Sequence, residues 1–94
     1  PFMYQALLRA EAPELANAIA FLGAARDSLV SDAVMINDPI PMTMTRVHNT
    51  DRAQLLVESS SRPALQHFLR EWVEILRAMK SRVRWSLEVD PIDI

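Results

Sequence analysis

The sequence of 94 residues contains no cysteine and a single glycine. Without cysteine, the chain has neither disulfide bonds nor thiolate ligands for a metal ion. One glycine is too few for the glycine-rich loops that bind nucleotide phosphates. The two histidines, His48 and His67, belong to no metal-binding motif. We therefore expect no catalytic residue, no metal site and no bound cofactor in this chain.

Long apolar runs and an excess of basic residues are also missing. No segment approaches the ~20 apolar residues that span a bilayer, so we expect no membrane partner. The net charge is −2, whereas domains that bind DNA on their own are usually basic. This charge argues against an independent, high-affinity DNA-binding domain. It is compatible with a domain that contributes a few arginines to a larger surface.

Several segments of the sequence alternate apolar and polar residues, which is typical of half-buried β-strands. The clearest are residues 1–11, 51–59 and 82–89. Residues 33–36 predict a further short strand, which the prolines at 39 and 41 interrupt. Because proline donates no hydrogen bond to a sheet, this part is expected to be an edge strand or a loop.

Two longer segments, residues 11–30 and 60–80, carry apolar residues at helical spacing. Gly23 lies within the first, and we expect a close packing contact there. In the second, Ser61 is a candidate N-cap, and Trp72 falls on the face that should be buried. The elements follow the order β-α-β-β-α-β. This order predicts one α+β domain over residues 1–94, with a split βαβ (ferredoxin-like) arrangement of a four-stranded sheet and two helices on one face.

Two sets of arginines are candidates for binding. The first set is chosen for charge and expected exposure as possible DNA contacts, and comprises Arg46, Arg52, Arg82 and Arg84. Alternation places Arg82 and Arg84 on the open face of the sheet and Trp85 on the helix face. Since no aromatic residue falls on the open face, we do not expect base stacking there. The alternative, which we favour, is a mixed-charge face that packs against a neighbouring domain.

Arg62 is predicted at the start of the second helix. Helix N-termini attract anions, because their first backbone N–H groups lack partners and the helix dipole is positive there. Arg62 beside those groups would form a socket for a carboxylate or a phosphate. The alternative, which the sequence by itself favours, is that the side chain simply points into water.

Four short motifs give the chain a resemblance to a known family. They are "ALLRA" near the start, "RAQLL" in the third strand, Ser-Arg before the last helix, and "EVDP" after a strand that contains tryptophan. In this order they resemble the C-terminal domain of the bacterial primosomal protein N′ family, the PriA replication-restart helicases. The resemblance covers the whole chain, and it departs from the family in the middle, at Asp38-Pro39 and "RVHNT".

The resemblance implies a non-catalytic C-terminal domain, excised from an ATP-dependent DNA helicase that binds its ATP and zinc elsewhere. It implies a role in primosome assembly at stalled forks, in the cytoplasm. Its partners would be single-stranded or forked DNA, the helicase core of the same chain, and the single-stranded-DNA-binding protein. Arg62 matches the family's Ser-Arg position and is expected to bind the acidic tail of that protein. The alternative is a stand-alone regulatory or assembly domain of the same fold that binds a small ligand or a protein.

Overall fold

A computed structural model describes residues 3–42, 50–79 and 81–89 of the chain. The described part has five strands and two helices. They are β1 (Tyr4–Ala12), α1 (Leu15–Ser28), β2 (Met35–Ile36), β3 (Ile40–Pro41), β4 (Asp51–Ser59), α2 (Arg62–Ala78) and β5 (Arg84–Val89). The predicted α+β class is confirmed.

The strand predicted at residues 33–36 is shorter, since β2 begins at Met35, and a further short strand, β3, follows it at Ile40–Pro41. β2 and β3 both pair with β4, and residues 37–39 separate them. The backbone N–H of Asn37 donates to the carbonyl of Leu56 at 2.9 Å, so the chain stays beside β4 while it leaves the regular ladder. Pro39 has no N–H to donate to a ladder. The prediction of four strands is therefore wrong for the described part of the chain.

The sheet is antiparallel, with the order β2-β4-β1-β5 and β3 beside β4. β1 is central: it pairs with β4 from Tyr4 opposite Ser59 onward, and with β5 from Ala6 opposite Val89 onward. Directly opposite residues in an antiparallel pair point to the same face. The register therefore determines which side chains share each face of the sheet.

The core lies between one face of the sheet and both helices. Its strand residues are alternate positions of β1 and β4, namely Ala6, Leu8, Ala10, Ala12, Ala53, Leu55 and Val57. Its helix residues are Ala18, Phe21, Leu22, Ala25, Leu65, Phe68, Leu69, Trp72 and Leu76. Most of the buried positions of β1 are alanine, and this small side chain lets the helices approach the sheet closely. The alternation predicted for β1 and β4 is confirmed.

Trp72 connects α2 to the end of α1. Its side chain is fully buried, and its indole Nε1 donates to the carbonyl of Ala25 at 2.9 Å. The hydroxyl of Ser28 donates to the same carbonyl at 2.7 Å. Carbonyl groups in the last turn of a helix lack their usual partner within the helix. These two side chains therefore satisfy an acceptor that would otherwise be buried without a hydrogen bond.

Two predictions about packing need revision. A Cβ atom at Gly23 would have no neighbour within 4 Å, so the close contact predicted there is wrong. Trp85 lies opposite Ala10 on the helix face, as predicted, and packs against the core. It is only partly buried, because β5 is the last strand of the sheet and the helices pack on β1 and β4.

Candidate nucleic-acid interface

Three arginines lie together at one end of the open face of the sheet, the face opposite the helices. They are Arg9 on β1, Arg52 on β4 and Arg84 on β5, and we call them the arginine cluster. The register brings them together, because Glu11 of β1 is directly opposite both Arg52 and Arg84. Arg9, two residues before Glu11, is directly opposite Ser86 of β5. Three strands that are distant in sequence thus supply one basic surface.

Glu11 lies between two members of the arginine cluster. Its Oε2 is 3.3 Å from Nε of Arg52, and its Oε1 is 3.9 Å from Nη1 of Arg84. The Glu11 side chain is 28% exposed, whereas that of Arg84 is 86% exposed. A guanidinium has five N–H donors. Most of the donors of Arg84 therefore face solvent and are available to an anion.

Arg9 forms an ion pair with Glu88 of β5. Its Nε is buried and has no hydrogen-bond partner among the residues that the structure describes, while its side chain as a whole is 43% exposed. Arg9 is not among the predicted DNA contacts, although the alternation of β1 puts it on the open face. Arg9 lies near Arg84 because β1 pairs with β5, and the sequence pattern of a single strand does not indicate which strand it pairs with.

A broad depression of about 810 Å³ covers this end of the sheet. Its lining includes the arginine cluster, Glu11 and Ser86 on the open face, and it extends to Met42 and to Trp85 of the helix face. Three arginines and one glutamate face it, although the whole chain has a net charge of −2. The lining therefore carries more positive than negative charge, although Arg9 is paired with Glu88, and this excess favours an anionic ligand.

The other part of the open face carries apolar side chains beside Gln5, Gln54 and Glu58. Leu7 is directly opposite Leu56, and both are half-buried. Met35 and Ile40, on β2 and β3, are 58% and 54% exposed. Apolar side chains of this size gain little from contact with phosphate groups. This part of the face is better suited to packing against another protein surface.

The structure brings together only two of the four arginines that were predicted to contact DNA, Arg52 and Arg84. Arg82 is exposed in the bend before β5, where the N–H of Val83 donates to the hydroxyl of Ser81 at 3.1 Å. The last strand was predicted to begin at residue 82 and begins at Arg84 instead. Arg82 is not among the residues that line the depression. Arg46 lies outside the described residues.

Arg62 is the first residue of α2, and its side chain is exposed. Ser61 is the N-cap, as predicted. Its hydroxyl oxygen Oγ accepts a hydrogen bond from the N–H of Ala64 at 3.3 Å, and its backbone carbonyl accepts one from the N–H of Leu65 at 3.0 Å. Pro63 has no N–H. Among the described residues, only the N–H of Arg62 is left without a partner at this helix end. An anion bound here would rely on the guanidinium of Arg62 more than on the backbone.

Residues 3–42, 50–79 and 81–89 show no metal site and no membrane span. No three histidine, aspartate or glutamate side chains among them are grouped closely enough to hold a metal ion. Neither of the two helices is both long enough and apolar enough to cross a bilayer.

Comparison with known proteins identifies the family. The model of the family described as "Primosomal protein N C-terminal domain" matches residues 1–92. The chain belongs to this family. The resemblance predicted from the four motifs is thus confirmed. This PriA C-terminal domain is 33% identical, over 97 aligned positions, to the replication restart protein PriA of Haemophilus influenzae. The match covers 100% of the chain and 13% of the length of that protein.

Solved structures that are similar to the PriA C-terminal domain in fold include the following two. The de novo designed protein Foldit4 has a TM-score of 0.64 at 6% sequence identity, with 93% of this chain and 94% of that chain covered. The C-terminal DNA-binding domain of the latency-associated nuclear antigen of MHV-68 has a TM-score of 0.61 at 10% identity, with 95% and 73% covered. At such low identities the likeness concerns the fold alone.

Proposed function

We propose that the chain is the DNA- and partner-binding module of a replication-restart helicase and acts in primosome assembly at stalled forks. The observation that carries this proposal is the arginine cluster around the depression, in a domain of the PriA C-terminal family. The module itself is non-catalytic. The ATP-driven unwinding and the zinc site belong to other parts of the parent protein, which works in the cytoplasm.

The geometry of the arginine cluster favours phosphate groups of single-stranded or forked DNA as its ligand. Each arginine that neutralises one phosphate of a single strand contributes about −0.7 to the slope of log affinity against log salt concentration. The three arginines of the cluster therefore limit the slope to about −2, a value reached only if each of them binds a phosphate. Such a slope is shallow beside that of a protein that contacts many phosphates, as expected for a domain that adds to a larger DNA-binding surface.

The part of the open face away from the arginine cluster, with apolar and polar side chains, is the proposed contact with the helicase core of the same chain. Leu7, Leu56, Met35 and Ile40 would be covered there, and the arginine cluster at the other end would stay accessible to DNA. We also propose that the fold is the split βαβ type. If β2 and β3 are counted as one interrupted strand, the order of the sheet fits that arrangement.

The DNA part of the proposal is tested by fluorescence anisotropy with labelled single-stranded and forked oligonucleotides at 50 and 200 mM salt. We expect Arg84→Ala to weaken binding and to make the salt slope less steep by about 0.7. Arg77→Ala is the matched control, because Arg77 is an exposed arginine of α2 in an ion pair with Glu74. Equal effects of the two substitutions would mean that only net charge matters, and the proposed site would be rejected.

The partner part of the proposal assigns Arg62 to the acidic tail of the single-stranded-DNA-binding protein. Arginine binds carboxylates through its forked donors, and the side chain of Arg62 has no ion-pair partner among the described residues. The test is titration of a tail peptide into the full-length parent protein. Arg62→Ala should weaken binding, whereas Arg70→Ala, at another exposed position of α2, should not. Unchanged tail affinity in Arg62→Ala contradicts the assignment.

A further inference from the structure

We infer that Glu11 is a built-in competitor for the phosphate groups that the arginine cluster binds. Its carboxylate lies between Arg52 and Arg84, in the place that a phosphate bridging these two arginines would take. The inference rests on the proposed DNA-binding function and adds a residue that sets the affinity of the site.

The position of Glu11 follows from the register of the sheet. β1 is the central strand, and Glu11 is directly opposite Arg52 on one side and Arg84 on the other. Neighbouring strands are ~4.8 Å apart, so the two arginines lie on strands roughly 10 Å apart with Glu11 midway. Each of its two carboxylate oxygens lies near a different arginine: Oε2 near Arg52 and Oε1 near Arg84. One side chain thus contacts both arginines.

A carboxylate and a phosphate use the same donors of a guanidinium. Both accept charge-assisted hydrogen bonds, which are typically about 2.7–2.9 Å long. The separations at Glu11, 3.3 Å and 3.9 Å, are longer than this range. Glu11 therefore holds the two arginines loosely, and an incoming phosphate that reaches both guanidinium groups has to share or replace these contacts.

Glu11 differs in this respect from the other carboxylate that pairs with the cluster. Glu88 forms an ion pair with Arg9, but it is not among the residues that line the depression. Of the described residues that form the lining, Glu11 is the one that carries a negative charge. Removing this charge alone should raise the affinity of the depression for a polyanion.

The substitution Glu11→Gln tests the inference, with labelled oligothymidine as the probe and anisotropy as the readout. Freeing the arginines for about one more phosphate contact should steepen the salt slope by about 0.7. The loss of affinity between 50 and 200 mM salt then grows roughly 2.5-fold relative to the natural chain. Glu74→Gln is the matched control, since Glu74 is an exposed glutamate that pairs with Arg77 on α2. This substitution changes the net charge of the chain by the same amount as Glu11→Gln. The double substitution Glu11→Gln with Arg84→Ala should lose most of the gain.

Each outcome decides something different. Tighter, more salt-sensitive binding by Glu11→Gln and no change in Glu74→Gln support the inference. Equal gains in both variants reduce the effect to net charge and overturn it, while the proposed DNA site stands. Weaker binding by Glu11→Gln, with an unchanged urea midpoint, means that Glu11 only positions the arginines, and this also overturns it. If neither the natural chain nor Glu11→Gln binds, the proposed DNA-binding function fails, and the inference fails with it.

Discussion

The carbonyl of Ala25 accepts hydrogen bonds from two side chains, and this arrangement predicts a specific non-additivity. Trp72 donates to it from α2 at 2.9 Å, and Ser28 donates from the last turn of α1 at 2.7 Å. Trp72→Phe removes the first donor and Ser28→Ala the second. Either single variant keeps one donor for the buried carbonyl, whereas the double variant keeps neither.

The expected magnitudes follow from burial. Trp72→Phe loses a hydrogen bond worth about 1 kcal/mol and part of a fully buried ring, for a total of about 2–3 kcal/mol. Ser28 is exposed, and alanine is the better helix former, so Ser28→Ala should cost about 0–0.5 kcal/mol. A buried acceptor without any partner costs about 1–3 kcal/mol. The double variant should therefore lose about 1 kcal/mol more than the sum of the single variants.

The assay is urea unfolding of the four chains of this cycle, followed by far-UV circular dichroism. A second cycle, Trp72→Phe with Ser60→Ala, is the control, because Ser60 is exposed in the turn before α2. Changes at such a separate position should add to within about 0.3–0.5 kcal/mol. If the cycle of Trp72 and Ser28 is equally additive, the shared carbonyl does not couple the two side chains and the reasoning is refuted.

Three further predictions concern stability. Gly23→Ala should raise the free energy of unfolding by about 0.5–1 kcal/mol in urea titrations, because a Cβ there meets nothing within 4 Å and alanine favours a helix; a loss would show a packing role for the glycine. Ser61→Ala should lower the free energy of unfolding by about 1 kcal/mol, because the hydrogen bond from the N–H of Ala64 to the Ser61 hydroxyl is lost. Ser61→Asp should restore most of this loss, and its failure to do so would contradict the role of Ser61 as N-cap. Trp72→Ala should lower the free energy of unfolding by about 3–5 kcal/mol. Trp85→Ala should lower it by only about 1–2 kcal/mol, because the side chain of Trp85 is partly exposed. Equal shifts in the thermal midpoint of the two variants would mean that Trp85 is as well packed as Trp72.

Local patterns were sufficient for much of the fold. The alternation along β1 and β4 correctly separated the buried positions from the open face, because side chains of a strand point alternately to its two sides. The serine-arginine-proline sequence correctly located the start of α2. The division of the second strand was only partly foreseen. The prolines signalled an interruption, but Asn37 keeps the chain beside Leu56 through a backbone hydrogen bond to a residue far along the sequence.

The candidate site was less accessible to sequence reasoning. Arg52 and Arg84 were selected by charge, yet nothing within either segment shows that both flank Glu11. That proximity arises from the central position of β1, which joins β4 on one side and β5 on the other. The ion pair of Arg9 with Glu88 links residues that are 79 positions apart. Contacts of this kind depend on strand order, and they become visible only when the register of the whole sheet is known.

The two edges of the sheet differ in how readily they would accept a strand from another chain. On one side, β2 and β3 have two residues each, and Pro39 and Pro41 offer no N–H groups to an incoming backbone. Short, proline-containing edges of this kind protect β-proteins from aggregation. On the other side, β5 is a continuous strand of six residues, with no strand beyond it in the described part of the chain. If copies of this domain associate edge to edge at high concentration, they should do so through β5.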